Sequence, residues 1–205
     1  LKKINKKYKT ELENSGLYVG ISRLAVSQKN HECIYCGSCL YGCVHSLIYN
    51  SGEDILLQKR KNELFNGLWD LAGATHPLHR GDVDESYLQS ALRCSKDEWG
   101  VAWQLNQVLS FTYFASDGQY CENEYCVLFA AKHDDKLAPN PDHIYEFKWI
   151  VWADLQSELK REPERFTPWL KVAVDLITPR VLNGGDQIHQ SLSRLTSLQD
   201  SSGKT

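Results

Sequence analysis

The chain has 205 residues, a formal net charge of -3, and 42% apolar against 24% charged residues, which is the profile of a soluble globular protein with one domain and an appendage, or two small domains. That balance offers no electrostatic footing for nucleic acid or an anionic membrane, and no apolar run approaches the ~18 residues that cross a bilayer. Seven cysteines in a chain long enough for a proper core fit a reduced, cytoplasmic compartment, and the absence of Met even at position 1 reads as a processed or partial product.

Residues 1–31 are polar and basic, opening Leu1-Lys2-Lys3-Ile4-Asn5-Lys6-Lys7 with no apolar signal core behind it. Four cysteines, Cys33, Cys36, Cys39 and Cys43, crowd the loop that follows. From about Ser46 the texture changes. Leu47-Ile48-Tyr49, a turn at Asn50-Ser51-Gly52, and Ile55–Arg60 predict a hairpin. Gly67-Leu68-Trp69 begins a short strand and a loop that ends at Thr75-His76-Pro77. Asp84 is a suitable N-cap for a helix through Glu98, and Gly100 a suitable stop. Strands are expected at Val108–Phe114, Tyr125–Ala131 and Tyr145–Trp152, and helices at Ala153–Lys160 and Trp169–Ile177, the second entered through Pro168. Rising Gly, Ser and Gln content marks 183–205 as a frayed tail, and no internal repeat is visible. The expected partition is a cysteine-rich segment 1–45, a core 46–182 and the tail.

Two groups of charged residues invite a chemical reading. In Cys121-Glu122-Asn123-Glu124-Tyr125-Cys126, strand alternation sends Glu122 and Glu124 to the same side. Like charges so placed call for water, a basic partner or a divalent cation bound by hard oxygens. On the expected helix, Glu85, Arg93 and Asp97 come round to similar faces with Glu98 adjacent.

The helix spacing resembles the latter part of a Nudix box, with departures: His79 stands at the box glycine, Gly81 is displaced, and Cys94 replaces a carboxylate. Taken with Gly67-Leu68-Trp69, Thr75-His76-Pro77-Leu78, Glu122-Asn123-Glu124 and Phe166-Thr167-Pro168-Trp169, the stretch from about 46 to 178 resembles the type I isopentenyl-diphosphate isomerases of the Nudix superfamily. That resemblance implies an α/β fold, a Nudix-type mixed sheet flanked by helices. It also implies protonation and deprotonation of isopentenyl diphosphate to dimethylallyl diphosphate, a prenyl diphosphate as partner, Mg2+, and a second divalent metal such as Mn2+ or Zn2+. By the same resemblance Glu124 and Tyr113 form the acid side and Trp169 faces the carbocation. His76, Glu122 and Glu124 hold metal, and Glu98 helps bind the magnesium diphosphate. Arg60 and Lys61 are the expected basic contacts to it.

Two departures touch the chemistry. Ala74 occupies the family's cysteine position, and the two further histidine ligands should fall near Ile34 and Tyr41, with His31 and His45 out of register. These leave open an impaired isomerase, a Nudix hydrolase of another diphosphate (opposed by Cys94), and a non-catalytic diphosphate- or metal-binding module. The run Cys33-x2-Cys36-x2-Cys39-x3-Cys43 has ferredoxin-like spacing, so an iron–sulfur cluster, zinc, or unliganded thiols are the alternatives there. Residues 17–50 also resemble a cysteine-rich segment of bacterial GMC-type oxidoreductases, without that family's FAD motif, which suggests a seam between two families at Ser46–Ser51.

Overall fold

Apolar runs punctuated by turn residues set the framework, and the computed structural model of the chain, which describes residues 41–80, 83–117 and 120–184, assembles them into one mixed sheet between helices. Its strands are β1 (Tyr41–Tyr49), β2 (Ile55–Arg60), β3 (Trp69–Leu71), β4 (Ala74–Thr75), β5 (His79–Arg80), β6 (Val83–Asp84), β7 (Asn106–Asp117), β8 (Tyr120–Lys132) and β9 (Ile144–Ile150). The helices are α1 (Tyr87–Trp99), α2 (Trp152–Arg161) and α3 (Pro168–Gly184). The sheet runs β3-β2-β1-β8-β7, with β4 paired to β1 and β9 to β2, while β5 and β6 form a separate ribbon.

The central feature is β1 lying parallel to β8, from Tyr41 opposite Glu124 to Tyr49 opposite Lys132. Every residue from Gly42 to Tyr49 is buried, as expected of a strand covered on both faces. Alternation divides the two faces. Cys43, Leu47, Cys126 and Leu128 join Leu155 of α2 and Leu170, Ala173 and Ile177 of α3. Val44, Val127 and Phe129 turn the other way, against Ala91 of α1. Leu47, Leu128, Leu155 and Leu170 are fully buried, each worth roughly 1.5–3 kcal/mol relative to exposure.

The first core strand thus starts at Tyr41, so Cys43, Val44 and His45 belong to the sheet and not to a preceding loop. Cys33, Cys36 and Cys39, most of the oxidoreductase-like stretch and residues 185–205 lie outside the described residues. The helix cap also shifts. Ser86, not Asp84, caps α1: its hydroxyl accepts from the Gln89 amide and the Gln89 side chain accepts from the Ser86 amide. This reciprocal box satisfies two orphan donors at once, while Asp84 is held in the ribbon opposite His79. At the other end Gly100 adopts φ 69°, the left-handed cap that glycine takes without steric penalty. Trp152 begins α2 instead of closing β9, because Val151 takes the extended cap conformation and Asp154 falls in the first turn, where the helix dipole favours an acid.

Candidate functional site

Three strands and one helix converge on the α3 side of the sheet. Cys43 lies opposite Cys126 and Tyr113 opposite Glu124, so the period of two brings Cys43, His45, Tyr113, Glu122, Glu124 and Cys126 onto a common face. Trp169, in the first turn of α3, packs against that face, its ring 5.5 Å from those of Tyr113 and His45.

Glu122 and Glu124 are only 6% and 4% exposed, so their charges must be met inside the protein. The Tyr113 hydroxyl oxygen lies 2.6 Å from Glu122 Oε2 and 2.7 Å from Glu124 Oε2. A hydroxyl has one proton to donate, so one of these contacts needs a proton from a carboxyl group. Burial, and then the neighbouring charge of Glu124, push Glu122 upward, which makes it the protonated partner. Glu124 goes the opposite way: burial would raise it, but His76 and the hydrogen bond from Tyr113 outweigh burial and hold it well below the usual carboxylate range. His76 Nε2 meets Glu124 Oε1 at 2.5 Å. Burial alone would lower His76, yet the Glu124 carboxylate raises it overall, as befits an imidazolium paired with an acid.

The residues expected from the helix motif brace this arrangement. Arg93 donates to both oxygens of Glu85, at 2.9 and 3.0 Å, and to the carbonyl of His76 at 2.9 Å. Glu85 also accepts from the Leu78 amide at 3.0 Å, so the pair ties the His76 loop to α1. Glu98 accepts from Gln58 at 3.1 Å, and burial lifts its pKa to about 7. Cys94 is buried where a Cβ on Gly73 would come within 3.3 Å of its sulfur, so glycine permits the close approach of helix and sheet.

Arg60, one of the two expected basic contacts to the diphosphate, is a buried side chain. A bulge in the β2–β9 pairing falls between Lys59 and Arg60, and the guanidinium lies inside, 2.7 Å from Asp70 and 4.9 Å from the Trp169 ring centre. Lys61 is exposed and donates to the carbonyl of Pro141 at 2.8 Å. Trp169 itself is 2% exposed, with Arg60, His45 and Phe65 against its ring, so protein groups already cover the surface assigned to the carbocation.

Three contributors were left out of the site by the sequence reading, which set His45 aside as out of register. Asp70, fully buried, accepts from Arg60, Thr167 and Trp169 Nε1 at 2.7, 2.9 and 2.6 Å and from the Leu71 amide at 2.7 Å. The other two are His45 and Cys126. Burial pulls His45 to about 4, so its ring is neutral. Ala74 pairs directly across from His45, and no proton-transfer group stands at the alanine itself. Alternation along β1 and β8 was a usable signal for these residues, but only the parallel register joins the two strands.

The donors present suit a divalent ion. Cys43, His45, Glu124 and Cys126 are buried with ligand atoms all within 4.8 Å of one another. His45 and His76 each keep a buried Nδ1 without a hydrogen-bond partner, a condition that a ligand relieves. His76 and Glu122 approach Glu124 by other routes, one by direct contact and one through Tyr113.

Residues 42–170 match the model of the NUDIX domain family. An isopentenyl-diphosphate Delta-isomerase of Aromatoleum aromaticum is 30% identical over 67% of this chain and 77% of its own length. A second, from Ruegeria pomeroyi, is 38% identical over 58% of this chain and 67% of that protein. Among solved structures, DR0079 from Deinococcus radiodurans shares the fold at a TM-score of 0.54, with 16% identity, covering 65% of this chain and 80% of the other.

Proposed function

Because the chain belongs to the NUDIX family and, within it, to the isopentenyl-diphosphate isomerases, we propose that it converts isopentenyl diphosphate into dimethylallyl diphosphate by adding a proton at one carbon and removing one at another. The observation that carries this reading is the buried chain Glu122–Tyr113–Glu124–His76, which keeps an exchangeable proton between two carboxylates of opposite tendency. Pairs of titratable groups driven apart in this way are the usual mark of acid and base assignments.

In this scheme the proton of Glu122 passes through the Tyr113 hydroxyl to Glu124, which delivers it to the terminal methylene of the alkene and leaves a tertiary cation on the neighbouring carbon. The Glu124 carboxylate left behind, in place of the base missing at Ala74, takes a proton from the adjacent methylene to form the new double bond, and Tyr113 returns that proton to Glu122. Protonating an unactivated alkene requires a positioned acid and a site closed to water, and the exposures of Glu122 and Glu124 meet the second need. Access of the substrate to Trp169 requires Arg60 or His45 to yield its place on the ring. His76, Glu122 and Glu124 would hold a divalent ion, which when bound supplies positive charge beside the diphosphate. Glu98 would bind Mg2+ carried by that diphosphate, with Lys61 as an exposed basic contact. Ala74 offers no group for the second proton transfer, so turnover is expected to be slow.

Incubation with isopentenyl diphosphate and Mg2+ in deuterated water tests the assignment. Dimethylallyl diphosphate carrying deuterium is expected, and Glu124→Gln should abolish it. Release of phosphate without isomer would shift the reading to hydrolysis, and neither product would leave a binding module.

A further inference from the structure

The geometry points to a zinc site made by Cys43, His45 and Cys126 with Glu124, a sulfur-bearing centre on the β1–β8 seam. Its donors come from two strands locked in parallel register, with Cys43 directly opposite Cys126, His45 two residues along β1 and Glu124 two residues back along β8. Side chains two apart share a face, so four candidate ligands meet over one patch of sheet. All four are buried, and their ligand atoms lie within 4.8 Å of one another.

Distances decide between chance proximity and a usable set. With Zn–S near 2.3 Å and Zn–N near 2.0 Å, two ligands on one tetrahedral ion sit about 3.5 Å apart. Cys43 Sγ lies 3.4 Å from His45 Nε2. Charge favours the same ion. Two thiolates cancel the two charges of Zn2+, and the charge of Glu124 is met by His76 at 2.5 Å, so the filled site brings no uncompensated charge into the core. Thiolate with imidazole is a soft to borderline donor set that selects zinc over Mg2+, whose preferred ligands are oxygens. Binding displaces the two thiol protons to solvent.

This site shares Glu124 with the proposed reaction, but it is inferred from donor atoms and its test needs no turnover, so its failure and that of the substrate reading are distinguishable. The cysteines at 33, 36 and 39 must be removed as competitors, so the full chain is prepared with Cys33→Ser, Cys36→Ser and Cys39→Ser and loaded with Co2+ in place of zinc. One equivalent of tightly bound Co2+ is expected, with a thiolate-to-cobalt charge-transfer band and the intense visible bands of a tetrahedral ion. Adding Cys126→Ser should remove most of the charge transfer and weaken metal affinity by at least ~10²-fold, the scale on which losses around a metal site are felt. Cys94→Ser, at a buried cysteine outside the cluster, should leave the spectrum unchanged. A folded triple variant with no thiolate band, a band that survives Cys126→Ser, or a Cys43–Cys126 disulfide in place of metal would each overturn the site. Because the first of these uses an intact core, failure of Cys126→Ser to fold does not rescue the idea.

Discussion

Asp70→Ala is the most informative single perturbation of the scaffold around the site. Asp70 is fully buried and neutralises the guanidinium of Arg60, itself only 8% exposed, at 2.7 Å. Removing one partner of a buried ion pair costs about 3–5 kcal/mol, since the other charge is left without compensation. The other oxygen of Asp70, Oδ1, accepts from both Thr167 and Trp169 Nε1. The Thr167 hydroxyl can rotate to another acceptor, but the indole N–H cannot, and an orphaned buried donor costs about 1–3 kcal/mol more. The expected loss is therefore about 4–8 kcal/mol, a large share of the 5–15 kcal/mol typical of a whole domain. Urea unfolding followed by tryptophan fluorescence would measure it, with Arg60→Met and the double variant closing a thermodynamic cycle. Arg60→Met/Asp70→Ala should recover at least ~2 kcal/mol relative to Asp70→Ala, because no bare charge remains. A loss under about 1 kcal/mol for Asp70→Ala, or a double variant no better than the single, would falsify the claim that a compensated charge anchors Trp169.

Three further outcomes follow from the site. Tyr113→Phe removes the hydroxyl between Glu122 and Glu124 and should lower the rate of deuterium incorporation by ~10²-fold or more with little change in KM; unchanged turnover would take the tyrosine out of the proton path. Ala74→Cys should raise turnover by ~10²–10⁴-fold, the worth of a positioned proton-transfer group, and a flat response would place the limitation elsewhere. For Glu98 the sign is set by its folded pKa of about 7, above the ordinary value of 4.5. Its contribution to stability is fully present below pH 4.5 and is lost as pH rises to about 7. Glu98→Gln, which can still accept from Gln58, should gain stability over the parent chain across that window and hold a constant lead above it. Chemical denaturation at a series of pH values checks this, and parallel curves would refute it.

Much of the framework was legible along the chain. Alternation at Glu122 and Glu124 correctly put both acids on one side of a strand, and Gly100 ended its helix in the left-handed conformation only glycine adopts freely. Local signals failed where two residues competed for one role. Asp84 and Ser86 are both good caps, and the choice turned on Gln89 completing a box with Ser86 while β5 claimed Asp84. Nothing nearby in sequence announces the bulge beside Arg60 or the meeting of its guanidinium with Asp70 and Trp169.

Residue order alone determined which side chains alternate and where helices stop, since those follow from the two- and 3.6-residue periods and from the φ each residue tolerates. It also carried the family, through short motifs spread over about 46–178, and residues 42–170 match the family's model. The company each functional group keeps was decided only by the tertiary structure. His45 and Cys43 meet Cys126 and Glu124 across roughly eighty residues through a parallel strand register, and Asp70 meets Trp169 across ninety-nine positions. Such pairings are set by how two buried strands share a core and how a helix closes over it, a condition of the whole packed molecule that no local window contains.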